Sequence, residues 1–289
     1  MVAIRLQGRL GNQLFQYAFI LAAKKNLNTG FYIDQCIEHD IVDNYFNIVA
    51  GSSRGIIPQL FKINGFKNIF SFHLRRLYYK YLAQINKLSV KAYGFNDAVA
   101  ATILTNQTLY VGFFQSELFF KGAEDLVKER FRLKKAFIVA FKNKYSKLYQ
   151  DNYIVAVHIR RTDYQNQSHL NLGGKDLSLP LAYYNKALSK YNGQNVHFVF
   201  VSDEPDFVNQ NFSTITNKTI STDTTIFDFQ HLLNADACII SNSTFSWWGA
   251  WLNNKPAKVI YAPKYFLGWQ IKKQTPAEIY PDSWTLIDF

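Results

Sequence analysis

The chain has 289 residues and a formal charge of +11; 48% of it is hydrophobic and 17% aromatic, including 25 Phe and 18 Tyr, which excludes a disordered polymer and supplies material for two cores. Its two cysteines, Cys36 and Cys238, form no CxxC pair, which argues against a disulfide framework or a cysteine zinc site, and no uncharged run approaches the roughly 18 residues of a membrane span. The positive balance favours an anionic partner but does not choose among nucleic acid, an anionic membrane surface and a nucleotide-linked substrate.

In chain order, Val2 to Leu6 reads as a strand, followed by the loop GRLGNQ and the helix LFQYAFILAAKK, where Leu14, Tyr17, Ala18 and Leu21 share one face. Gly8 and Gly11 allow tight turns, and the unpaired N–H groups at a helix start suit an anion or a sugar hydroxyl. Arg9, Asn12 and Gln13 are the ligand candidates there. Phe31 to Ile33, ending at Asp34, reads as the second strand. The basic aromatic run Leu74-Arg-Arg-Leu-Tyr-Tyr-Lys-Tyr-Leu82 is predicted helical. Such a run can bind nucleic acid or a membrane face, but more often it is an amphipathic helix with a solvated side, and that reading is preferred. Leu109 to Phe114 is a predicted strand, with helices around 124–131 and 136–150. The polar turn Asp151-Asn152 marks the expected domain boundary.

From there strands alternate with helices. Strand 153–159 precedes Gly173-Gly174 and a helix opening at Pro180, and strand 197–201 ends in Ser202-Asp203 before a short helix from Pro205. A helix over 226–234, a strand over 237–240, a helix over 243–253 and a last strand over 259–261 complete the order. The alternation predicts a parallel sheet of Rossmann type.

Three loops after three of these strands carry the polar residues. In HIRRTDY, Arg160 and Arg161 offer paired hydrogen bonds to phosphate oxygens, with His158 beside them. Asp163 is either the arginine's partner or a base. In VSDEPDF, Asp203 either accepts from the N1–H and amine of guanine or caps the next helix. In ISNSTFSWWGAWL, Ser241, Asn242, Ser243, Thr244 and Ser246 crowd a helix start and can converge on a diphosphate, or merely cap. Trp247, Trp248 and Trp251 are assigned to interdomain core packing rather than sugar stacking.

The motifs GRLGNQLFQYAF, HIRRTDY, FVSDEPDF and DACIISNSTFSWWGAWL, in that order, resemble those of glycosyltransferase family 11, the α-1,2-fucosyltransferases that use GDP-fucose. The resemblance runs from residue 5 to about 262. It implies an α/β fold of GT-B type, with two Rossmann-like domains facing across a cleft. The acceptor-side domain would be 1–150 and the GDP-fucose-binding domain 151–289. It also implies an inverting transfer to the 2-hydroxyl of a terminal galactoside that needs no metal, in keeping with the lack of an Asp-x-Asp triplet. Arg160 is then the diphosphate contact, and the base lies among Asp163, His169 and the pair Asn12-Gln13. Soluble bacterial members imply a cytoplasmic enzyme touching the inner membrane, with no nucleic-acid partner. A fucosyltransferase of another linkage, such as α-1,6, and a nonenzymatic RNA- or polysaccharide-binding protein are the rival readings.

Overall fold

The computed structural model describes residues 1–36, 42–48, 69–97, 99, 102–192 and 195–289. The chain divides into two compact units, Met1–Leu133 and Lys134–Phe289. The first comprises β1 (Val2–Arg5), α1 (Leu10–Leu27), β2 (Phe31–Asp34), α2 (Ile69–Ile85), β3 (Ser89–Ala92), β4 (Thr108–Val111) and α3 (Glu124–Arg130). Its four strands are parallel in the order β2-β1-β4-β3. Helix α1 is buried over most of Leu10 to Ala23, not only on the predicted face. Two amides inside it are satisfied there. Gln13 donates to Gly8 O and accepts from Val42 N–H, while Gln16 accepts from Gln7 N–H and donates to Gly112 O.

The second unit comprises α4 (Lys135–Asp151), β5 (Tyr153–Ile159), α5 (Leu181–Leu188), β6 (Val196–Ser202), α6 (Pro205–Asn211), β7 (Lys218–Ser221), α7 (Thr225–Asn234), β8 (Ala237–Ile239), α8 (Thr244–Trp251), β9 (Val259–Pro263) and β10 (Thr285–Ile287). The division falls at 133/134 rather than at 150/151 because α4 packs into this unit. Phe141 and Tyr145 meet the ring of His231 on α7 at 5.0 and 4.5 Å, and Lys144 pairs with Asp223.

The six strands are parallel in the order β10-β9-β8-β5-β6-β7. The first strand of the unit, β5, is therefore central. The chain winds outward through β6 and β7 on one side, then returns to add β8, β9 and β10 on the other. Such a reversal opens a crevice at the carboxyl ends of the two strands where it occurs, here β5 and β8. The tryptophans of α8 pack into the core of this unit. Trp247 and Trp248 are fully buried, and Trp247 donates to Ile279 O and meets Trp284 at 5.4 Å. Gly249 lets α8 lie close on α7, since a Cβ there would sit 2.6 Å from that of Leu232.

Candidate active site

Three adjacent strands, β8, β5 and β6, end on the same side of the sheet, and their loops are the three polar motifs. Residues in register at those ends, Ile159 with Ser202 and Val157 with Ile239, fix which loop residues meet. His158, at the end of β5, shares a 2.7 Å hydrogen bond through Nδ1 with Ser241 Oγ after β8, so it bridges the strands flanking the crevice. Burial, with Arg160 nearby, lowers its pKa to about 3, so the imidazole is neutral at any working pH.

Arg160 is held from two directions. Its Nε donates to Asp163 Oδ1 at 2.7 Å, and its Nη1 lies 3.2 Å from Asp203 Oδ2. Burial disfavours the charge, but the two carboxylates outweigh it and hold the pKa above the ordinary arginine value. Among the described residues nothing bonds the Nη2 amine, so a fixed fork keeps donors to spare. Arg161 is used differently. Its Nε donates to Glu204 at 2.8 Å, and its guanidinium lies 3.9 Å from the centroid of Phe207.

Asp203 does not cap α6, whose N-cap is Glu204, and both of its oxygens are engaged within the loop. It accepts from Arg161 N–H, Thr162 N–H and the Thr162 hydroxyl, besides facing Arg160. Three of those contacts fall on Oδ2 and one on Oδ1, so Oδ1 keeps one acceptor site. Its work is to fold the turn that aims Arg160. Two guanidinium charges thus stand against the carboxylates of Asp163, Asp203 and Glu204, so aimed donors and not net charge would meet an anion here.

The serine-rich loop is likewise mostly scaffold. Ser241, Asn242 and Ser246 are wholly buried. Asn242 Nδ2 donates to Leu177 O, its own carbonyl accepts from Tyr164, and the Ser246 hydroxyl bonds back to Ser243 O. Ser243, at the N-cap of α8, makes no side-chain cap and is itself buried beside Tyr164, while Thr244 opens the helix half-buried, so of the two only Thr244 reaches the loop surface. His169 lies exposed on a separate short turn.

In the first unit the loop after β1 shows a similar bridge across strand ends. Asn12 Oδ1 accepts from Gln115 Nε2, which follows β4, at 2.8 Å. Gly8 adopts φ +70°, and a Cβ there would strike Asn12 Nδ2. Arg9 is exposed, whereas Gln13 is fully buried and serves the loop, not a ligand. Glu204, Thr162, Tyr164 and Gln115 were not singled out by the sequence. The acid pair in SDEP facing the arginine pair in HIRR was the one available signal.

The buried histidines make a pH prediction. His231, bonded to Tyr149, has its pKa lowered to about 4 by burial, alongside His158 at about 3. Below about pH 6.5 the unfolded chain binds protons at both that the fold refuses, so each removes about 1.4 kcal/mol of stability per pH unit. Asp228, raised to about 6 by burial, is protonated only in the fold over this window and offsets one of them. Stability measured by urea melts should therefore fall by about 1.4 kcal/mol per unit from pH 6 to 4. His231→Asn should bring that slope close to zero; an unchanged slope would refute the assignment.

The profile of Glycosyl transferase family 11 matches residues 1–288. The chain belongs to that family. This family 11 glycosyltransferase is 28% identical to the Escherichia coli O-antigen biosynthesis glycosyltransferase WbnK, across 96% of its own length and 98% of the relative. It is equally 28% identical to an Escherichia coli α-1,2-colitosyltransferase, over 99% of each. Among solved structures it is similar to the Bradyrhizobium α-1,6-fucosyltransferase NodZ soaked with GDP-fucose, at TM-score 0.52 and 14% identity, covering 87% of this chain and 92% of that one. POFUT1 in complex with GDP gives TM-score 0.50 at 12% identity, covering 90% and 97%. The fold is thus the GT-B type of those fucosyltransferases, and the protein is an enzyme that transfers sugars.

Proposed function

We propose that this enzyme transfers L-fucose from GDP-fucose to the 2-hydroxyl of a terminal galactoside, with inversion and without a metal, in surface-glycan or O-antigen synthesis. The observation that carries the reading is Arg160, a guanidinium fixed by two carboxylates at the carboxyl end of β5, with Nη2 donors unspent. As the bond from fucose to GDP stretches, negative charge gathers on the leaving diphosphate while the sugar gains oxocarbenium character. A preorganised cation at that oxygen stabilises the charge where it develops. Asp163 positions Arg160, and His158, kept neutral by burial, offers an uncharged ring nitrogen to the donor nucleotide. Thr244 and the first N–H groups of α8 complete the diphosphate contacts. Asn12 and Arg9 of the first unit belong to the acceptor side.

The relative named α-1,2-colitosyltransferase favours one second reading, in which the donor sugar is colitose, the 3-deoxy counterpart of L-fucose. Both readings share the α-1,2 linkage. The purified chain, given GDP-fucose or a GDP-colitose donor with a panel of β-galactosides, should fucosylate the galactose 2-hydroxyl and keep full activity in excess chelator. Exclusive use of the colitosyl donor selects the second reading. A 1,6-linked product or abolition of activity by chelator would overturn the corresponding part of the proposal.

A further inference from the structure

Helix α2 was expected to turn a solvated polar side outward; His73, Arg76, Lys80 and Gln84 are exposed, and an apolar stripe is exposed beside them. Its inner face is secured by Tyr79, which is 5% exposed and stacks on Tyr32 of β2 at 6.3 Å, with Tyr78 and Leu82 packed alongside. Leu74, Leu77, Tyr81 and Ile85, spaced by three, four and four residues, form one continuous stripe on the outside. They are 37%, 62%, 58% and 54% exposed, and Val90 on the neighbouring edge strand β3 is 62% exposed. Beside that stripe on the helix lie Arg76 and Lys80, four residues apart and both exposed.

The sequence around the helix has one sign of charge. Between Asp43 and Asp97 there are eight lysines and arginines and no aspartate or glutamate. Most of the chain's +11 net charge therefore belongs to this one segment. A second copy of the chain would bring the same cations against themselves, which disfavours a symmetric dimer through this face. An RNA partner would leave the leucines and isoleucine without a role. An anionic bilayer matches both halves, since aliphatic and tyrosine side chains enter the headgroup boundary while the basic stripe meets lipid phosphates.

We propose that the outer face of α2, with Val90 of β3, is a docking surface for an anionic phospholipid bilayer. The helix lies on the bilayer and does not cross it: among the described residues no helix is long and apolar enough to span a membrane. The proposal is independent of which sugar is transferred.

The test is sedimentation of the full chain with vesicles of phosphatidylcholine alone, or with phosphatidylglycerol added. Binding should appear only with the anionic lipid and weaken with salt, falling on the order of 25-fold in Arg76→Ala/Lys80→Ala, at roughly 5-fold per basic residue. Leu77→Ser/Tyr81→Ser/Ile85→Ser should lose binding even at low salt. Circular dichroism and the thermal midpoint report whether each variant is folded; these positions are exposed, so both should match wild type. Failure of the wild-type chain to bind anionic vesicles overturns the proposal. So does equal binding by both folded variants, or a wild-type dimer in sedimentation velocity that the serine variant dissociates.

Discussion

Arg160→Ala is expected to lower turnover by about 10² to 10³, equivalent to about 3 to 4 kcal/mol of transition-state stabilisation. The size follows from geometry. A guanidinium anchored at Nε by Asp163 and at Nη1 by Asp203 meets the developing charge without reorganising at the moment of reaction. Donor affinity should fall less than turnover, because the ground-state diphosphate carries less charge on the oxygen that departs. Lysine should not rescue the loss: one ammonium cannot serve both carboxylates and still present a second donor pair. Removing the guanidinium also takes the cation away from two carboxylates, so turnover has to be compared at a temperature where the variant is folded, as checked by its melting curve. Near-normal turnover in the folded Arg160→Ala enzyme would remove this residue from the mechanism.

The interior of the fold was legible in the sequence because central parallel strands are buried on both faces and read as unbroken apolar runs, as in Tyr153-Ile-Val-Ala-Val157 and His197-Phe-Val-Phe-Val201. Three strands escaped notice, β3, β7 and β10, and all three are sheet edges. Ser89-Val-Lys-Ala92 and Lys218-Thr-Ile-Ser221 mix polar with apolar residues because one flank has no neighbouring strand, so pattern gives them little signal. Helix α4 was found in sequence but placed in the wrong unit. Its ring contacts to His231 and Phe227 come from residues more than 80 positions away, which spacing along the chain cannot show.

For the site, the sequence located the loops better than the roles within them. Strand ends in open α/β sheets are where ligands bind, so HIRR, SDEP and SNST could each be marked from their position after a strand. What it could not show is that buried polar residues must first satisfy one another. Ser241 is committed to His158, Asn242 to Leu177, Ser246 to its own helix start and Gln13 to Gly8 and Val42. A polar residue in a motif is as often the brace of a ligand contact as the contact itself.

Asp203 is the brace on which most rests, and Asp203→Ala should damage stability and turnover together. The substitution strips acceptors from two backbone N–H groups and the Thr162 hydroxyl, and it releases Arg160 Nη1. Since the carboxylate is mostly buried, a loss of about 2 to 3 kcal/mol is expected, or a drop in Tm of about 5 to 10 °C for a unit of this size. Turnover should fall by about 10², approaching the Arg160→Ala value, because the fork would then hang from Asp163 alone. Asparagine should do little better. Its amide keeps one acceptor oxygen and turns an N–H₂ toward donors that need an oxygen. Were Asp203 instead a guanine contact, the alanine variant would melt with wild type and only the donor KM would rise. Thermal melts and initial-rate kinetics on the same preparations therefore separate the two, and unchanged Tm with unchanged kcat would refute the brace.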